Sequence, residues 1–243
     1  MNTRIGLDRG ISFIESHLHG DSHPHAQHYV SETKRNVVTI SRQAGSGATE
    51  IAGKLGELLQ ASEPQTTPPW TVFDRELVEK VLEQHHLPKE LSKYMPENYI
   101  NEFEGTMDEL FGLHPASWIL VRQTGETILR LATMGSVILI GRAANVITAK
   151  LPQVFHVRLV GSVEKRAARI EESQHLDRKA ALAFIRKADA GRRRYLKRYY
   201  KKDIDDALLY HLVINTDLFN VNEAARLIFN ALVSRTHALA SHN

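Results

Sequence analysis

The sequence of 243 residues predicts a doubly wound α/β fold, with helices on both faces of a parallel sheet. Three observations carry this prediction. Five short runs are almost continuously apolar, as strands buried on both faces of a parallel sheet must be. Amphipathic helical patterns lie between them, and strands alternating with helices argue for parallel pairing. The first run also passes through a Gly-rich turn straight into a helix, in VVTISRQAGSGATEIAGKLGELL.

In chain order, Leu7, Ile11, Ile14 and Leu18 have helical spacing and predict one short amphipathic helix in the first 20 residues. HLHGDSHPHAQH follows, with His17, His19, His23, His25 and His28 as candidate metal ligands. Gly20 and Pro24 leave that spacing without a fixed geometry, which favours a polar linker. Residues 1–35 thus read as an N-terminal extension, 36–235 as the main domain and 236–243 as a tail. The predicted strands are Val37–Ser41, Trp70–Phe73, Val137–Ile140, Phe155–Val160 and Leu212–Asn215. The predicted helices are Thr49–Leu59, Glu76–Gln84, Ser117–Ala132, Val163–Glu172, Lys179–Tyr200 and Val221–Leu232. Prolines make a loop of Ala61–Trp70, and the polar, aromatic-dotted stretch 85–115 reads as a helical insertion.

Composition narrows the class. With 42% hydrophobic and 24% charged residues the chain is that of an ordinary globular protein. No apolar run approaches the roughly 18 residues that a membrane span needs. The charged N-terminus is unlike a signal peptide. The absence of cysteine rules out disulfides and thiolate metal sites and agrees with a cytoplasmic protein. Formal net charge is only +3. Basicity is concentrated in RKADAGRRRYLKRYYKK, Arg186 to Lys202, where nine Lys or Arg face one Asp.

A Gly-rich turn between a strand and a helix exposes backbone N–H groups beside the positive end of the helix dipole, which suits a phosphate. Gly45 and Gly47 let the backbone come close to a ligand. Against the pattern GxxxxGK[ST], Gly47 falls on the last glycine, Ala48 on the lysine and Thr49 on the hydroxyl residue that touches Mg²⁺. Arg42 falls on the first glycine, so the pattern is met at only two of its four positions. A plain strand-to-helix turn remains the alternative on this motif alone.

Four separated motifs add to it: ISRQAGSGATEIA from Ile40, VFDRELV from Val72, VILIGRAANVI from Val137, and DAGRRRY from Asp189 with LVINT at Leu212. Together they resemble the cytidylate kinase-like family, a branch of the P-loop nucleoside monophosphate kinases. That branch commonly reads GSGG where this chain reads GSGA, and it too lacks the usual lysine. The resemblance implies a three-layer α/β/α P-loop NTPase fold with a parallel sheet, an acceptor-binding helical insertion near 85–115 and a basic lid over 186–202. It implies ATP and Mg²⁺, with the phosphates on Gly45, Ser46, Gly47, Ala48 and Thr49 and the metal at Thr49. Asp74, Arg75, Gly141 and Arg142 would bind the acceptor, a nucleoside monophosphate with CMP or dCMP the first candidate. Kinases of the cytidylate type carry Gly-Arg-Asp at the second of these places, and Ala143 replaces that Asp, which weakens the case for cytosine. On the lid, Asp189, Arg192 and Tyr195 match Asp-x-x-Arg-x-x-Tyr, and Lys187 lies beside them. Arg42, Arg192 and Asp189 are the candidates for catalysis, Arg42 as the cation that replaces the missing lysine.

Two other classes stay open. A lysine-less loop also suits a nucleotide-binding regulatory protein that does no chemistry. Basic residues interleaved with Tyr195, Tyr199 and Tyr200 suit single-stranded nucleic acid, although no RNA-binding motif accompanies them. No membrane partner is expected, and a homo-oligomer is left open.

Overall fold

The computed structural model describes Phe13, residues 35–74 and residues 116–240. Five parallel strands form one sheet: β1 (Val37–Arg42), β2 (Thr71–Phe73), β3 (Val137–Ile140), β4 (Val154–Val160) and β5 (Leu212–Asn215). Their order across the sheet is β2-β3-β1-β4-β5, so β1 is central. Val37 pairs with Val137 on one side and Val154 on the other. Six helices complete the described fold: α1 (Ala48–Ser62), α2 (Ala116–Met134), α3 (Ala144–Ile147), α4 (Val163–Gln174), α5 (Arg178–Tyr200) and α6 (Val221–Ala240). A 3-10 turn at Ala207–Leu209 precedes β5.

The layering follows from the two-residue period of a strand. Val37, Val137, Leu139 and Val154 enter a cluster with residues of α2, α3 and the end of α5. Val38, Ile40, Ile138, Ile140, Val157 and Leu159 point the other way, into a cluster with α1 and α6. Val37, Val38 and Ile40 are wholly buried. Each such side chain contributes about 1.5–3 kcal/mol over its exposed state. A smaller cluster of Ala44, Ala167, Ile170, Ala181 and Ile185 packs α4 and α5 against the turn after β1. These three layers make an α/β/α P-loop fold.

The strands and helices form where the sequence places them, with shifted ends. β1 runs on to Arg42, which pairs with Leu159. β2 begins at Thr71 rather than Trp70, and β4 begins earlier, at Val154. α3 was not expected, because four residues show no helical period. α6 continues to Ala240 through the helix-forming stretch RTHALA, so residues 236–240 belong to the last helix and not to a tail. Phe13 is helical and buried, with its ring edge-on to Phe73 at 5.7 Å. The rest of the expected N-terminal helix, the His-rich linker, Arg75, the helix Glu76–Gln84 and the insertion at 85–115 lie outside the described residues. No described helix is long and apolar enough to cross a membrane.

Candidate phosphate-binding site

The turn after β1 is shaped by its glycines. Gly45 and Gly47 take positive φ values of 75° and 76°, which only glycine adopts without strain. A Cβ at Gly45 would overlap the carbonyl oxygen of Arg166, so α4 backs directly onto the loop. Arg166 Nη1 donates to the Ala44 carbonyl at 3.0 Å and Arg169 Nη1 to the Gly45 carbonyl at 3.3 Å. The Gly161 N–H donates to Gln43 Oε1 at 3.0 Å, and Ser46 Oγ to the Gln43 carbonyl at 2.9 Å. These bonds take up the loop's carbonyls from behind.

The helix start faces the other way. α1 opens with Gly47 as N-cap and with no side-chain cap, so its first-turn N–H groups stay available to an anion. Ala48, at the lysine position, is 9% exposed and packs with Ile51 and Leu55. It supplies no charge. Thr49 is exposed in the first turn, with its hydroxyl outside every hydrogen bond of the described residues.

Cations come instead from other elements. A cavity of about 520 Å³ opens at the carboxyl ends of β1 and β3, where open α/β sheets bind ligands. Arg42, Gly141, Arg142, Lys187, Arg192 and Tyr195 line it. Arg142 and Ala143 both take left-handed backbone, with φ of 53° and 59°, to turn the chain from β3 into α3. Two such non-glycine residues in a row cost about 1 kcal/mol or more each, a strain typical of functional sites. Burial holds the Tyr195 hydroxyl above the ordinary tyrosine range, so it stays neutral and can donate a hydrogen bond.

Beside this cavity lies a cleft of about 410 Å³, lined by Arg42, Arg158, Arg166, Arg186, Arg192 and Arg193 together with Asp189. Two carboxylates order it. Asp189 accepts from the Ala44 N–H at 2.8 Å, from Arg166 at 2.7 Å and from Arg192 at 3.0 Å. Asp205 accepts from Arg158 and Arg193, both at 2.8 Å, and Arg158 also donates to Ser41 Oγ at 2.9 Å. Burial works against the Asp205 charge, but the bonds from Arg193 and Arg158 outweigh it and hold its carboxyl below the usual range. The Arg192 guanidinium is also held below its ordinary value, by burial first and then by the charges of Arg158 and Arg166, with Asp189 opposing them.

Six of the residues singled out in the sequence therefore meet in one cavity: Arg42, Gly141, Arg142, Lys187, Arg192 and Tyr195. Gly45, Ser46, Gly47, Ala48 and Thr49 form the neighbouring loop and helix start and line neither hollow. Asp74 follows the end of β2 and also lines neither. Asp189 is turned toward the arginine cleft, with both carboxylate oxygens engaged by protein donors. Arg158, Arg166, Arg169 and Asp205 escaped the sequence reading. One signal for Arg158 was there, a lone arginine inside the buried strand VFHVRLV.

The sequence profile described as the cytidylate kinase-like family matches residues 37–218, most of the chain. A cytidylate kinase of Methanocaldococcus jannaschii is 27% identical over 106 residues, which is 43% of this chain and 60% of that protein. The match thus spans less than two thirds of that relative's length. The crystal structure of an uncharacterized protein from Eubacterium ventriosum superposes with a TM-score of 0.62 at 24% identity, covering 83% of this chain and 99% of that one. That likeness is one of fold.

Proposed function

This chain belongs to the cytidylate kinase-like family, and from that premise we propose that it transfers the γ-phosphoryl group of ATP to a nucleoside monophosphate. The observation that carries the proposal is the convergence of Arg42, Arg142, Lys187 and Arg192 on one cavity beside the Gly-rich loop. Phosphoryl transfer asks little covalent chemistry of a protein. It asks for two phosphates to be aligned and for the charge on the moving group to be neutralised. The loop and the open α1 N-terminus suit the donor phosphates. Arg142, at the end of β3, suits the acceptor phosphate, where a guanidinium can take two oxygens at once. Arg42 and Arg192 line both hollows and suit the group in transit between them.

The donor set is compatible with Mg²⁺, which keeps several waters and needs few protein ligands. Thr49, with its exposed hydroxyl in the first turn of α1, would hold the ion, which would supply charge neutralisation across the donor phosphates. CMP and dCMP are the first acceptors to try. A coupled assay of ADP release over CMP, dCMP, UMP, AMP and GMP tests the proposal. Turnover of at least one of them supports it, and none at millimolar acceptor overturns it.

The apolar Ala48 favours one second reading, a nucleotide-binding protein without transfer activity. Saturable binding of ATP with no ADP release would establish that reading instead.

A further inference from the structure

The basic helix α5 carries more charge than the cavity uses. Its inward face sets Asp189 and Arg192 toward the loop and the cavity, and buries Leu196 and Tyr200 in the core. The outward face is a straight stripe. Phe184, Lys187, Gly191, Arg194 and Arg198 are spaced by 3, 4, 3 and 4 residues, the period of one helix face. Phe184 is 38% exposed, and Lys187, Arg194 and Arg198 are exposed, with exposed Lys197 beside them. Other arginines of α5 are matched: Arg178 by Glu171, Arg192 by Asp189 and Arg193 by Asp205. Among the described residues, Lys187, Arg194, Lys197 and Arg198 enter no salt bridge, and Asp189, the single carboxylate of α5, faces the other way. These four cations outweigh the +3 of the whole chain, so the stripe concentrates a field that the rest of the protein does not share. Gly191 lies in the middle of it. Glycine weakens a helix interior, and a Cβ there would meet nothing within 4 Å, so packing does not call for it. It leaves a saddle between Lys187 and Arg194 where a bound chain can come close to the helix backbone.

The surroundings of the stripe indicate its partner. A bilayer surface asks a helix for an exposed apolar face, and the apolar side of α5, with Ala181, Ile185, Leu196 and Tyr200, is buried in the fold. A row of cations that ends on an exposed aromatic ring is instead the combination that holds single-stranded nucleic acid, by phosphate contacts and base stacking. The row also begins at a ligand-sized hollow, because Phe184, Lys187 and Gly191 line the 520 Å³ cavity. From Phe184 to Arg198 the helix rises about 21 Å, the axial length of roughly six stacked nucleotides. We propose that the outward face of α5 binds single-stranded nucleic acid, with phosphates on Lys187, Arg194, Lys197 and Arg198 and a base against Phe184 at the mouth of the cavity. This is a binding function beyond phosphoryl transfer and does not depend on it.

Fluorescence anisotropy with a labelled ten-nucleotide oligouridylate tests this on the full chain. Four phosphate contacts give a slope of about −3 for log K against log salt, so affinity should drop about fiftyfold between 50 and 200 mM salt. Arg194→Gln, Lys197→Gln and Arg198→Gln combined should weaken binding at 50 mM salt by about tenfold or more and bring the slope to about −1. All three side chains are exposed, so the melting temperature and the turnover of mononucleotides should stay as they are. Phe184→Ala should weaken binding by about fivefold or more with the slope unmoved, since stacking carries no charge. Absence of saturable binding at 50 mM salt, or an affinity indifferent to the triple variant, would overturn the proposal. Equal binding of polyglutamate would assign the row to an acidic polypeptide, and equal binding of anionic phospholipid vesicles to a membrane surface; either overturns it as well. A triple variant that keeps the oligonucleotide and loses mononucleotide turnover would return these side chains to the catalytic cavity.

Discussion

The Asp189 carboxylate and the Ala44 backbone amide, 145 residues apart in the chain, meet at 2.8 Å. The bond joins the basic helix α5 to the loop after β1. The same carboxylate holds Arg166, which grips the loop carbonyl of Ala44 from α4, and Arg192, which lines the cavity. One side chain thus fixes a loop, a buried arginine and a cavity arginine relative to each other. Groups held in place before a ligand arrives need no reorganisation when charge develops on it. Asp189 reads on this geometry as a positioning residue.

Asp189→Asn is expected to keep an acceptor for the Ala44 amide and to lose the charge that pairs Arg166 and Arg192. Arg166 is almost completely buried, with its side chain 5% exposed, so its charge would be left without compensation. Stability should fall by about 2 kcal/mol, read as a denaturant midpoint with an unchanged m-value. Retention of the full midpoint would mean that the loop does not depend on this carboxylate.

Two glycines, one in the loop and one inside α1, should respond in opposite directions to the same change. Gly45 is left-handed and lies against the Arg166 carbonyl, so Gly45→Ala combines backbone strain with a clash. It should cost about 2 kcal/mol or more and weaken ATP binding. Gly53, in the interior of α1, has open space around it. Gly53→Ala should stabilise by about 0.5–1 kcal/mol, by propensity alone. Thermal unfolding of the pair checks both signs at once.

Much of this architecture was legible in the sequence, and the reasons differ by element. Val137–Ile140 announced itself because a strand buried on both faces needs an unbroken apolar run. The loop was readable because its glycines carry a backbone requirement that other residues cannot meet. α3 was hidden because a single turn has no period to detect. The Asp189–Ala44 and Asp205–Arg158 bonds were invisible because each joins residues far apart in sequence, and a charged residue does not announce its partner. Arg158 was passed over as one residue of a strand, when its charge inside a buried run was the feature to question.

Acid should destabilise the fold well above the carboxylate range. His156 is 6% exposed, shares a 2.8 Å hydrogen bond with the Thr39 hydroxyl and receives no compensating negative charge from its described neighbours. Burial, with the charges of His211 and Arg235, pushes its pKa down from 6.5 to about 3. The unfolded chain therefore takes up a proton near pH 6.5 that the folded protein refuses, and stability is lost as pH falls from there toward 3. By pH 5 the loss is about 2 kcal/mol from His156, and His211, also lowered by burial, adds to it in the same direction. Asp205 and Asp217, whose carboxyls lie below their usual range, release their share only at lower pH. Denaturant midpoints at pH 7.5 and pH 5 should differ in the unmodified protein, and most of that difference should disappear in His156→Gln, leaving the share of His211. A difference that survives undiminished in that variant would assign the loss to another group.

The last prediction concerns the cation that replaces the loop lysine. Ala48 is buried among apolar side chains, so the position itself cannot be charged without repacking α1. Arg42 is the nearest substitute along the chain, at the end of β1 and ahead of the loop. Its guanidinium lies against Gly141, where a Cβ would overlap it, and it lines both the cavity and the arginine cleft. From there a long side chain can reach a phosphate held on the loop amides. Arg42→Ala should weaken ATP–Mg²⁺ binding by about 1.5–3 kcal/mol, the worth of a charge-assisted hydrogen bond, with the fold intact. Gly141→Ala offers a check that leaves the charge in place. The added methyl would displace the guanidinium and strain a backbone at φ 84°, so it should lower ATP affinity in the same direction. Arg192→Ala, tested in parallel, separates the strand cation from the one on α5. If calorimetry finds ATP binding unchanged in Arg42→Ala and reduced in Arg192→Ala, the replacement charge comes from α5 and Arg42 serves only to pack against Gly141.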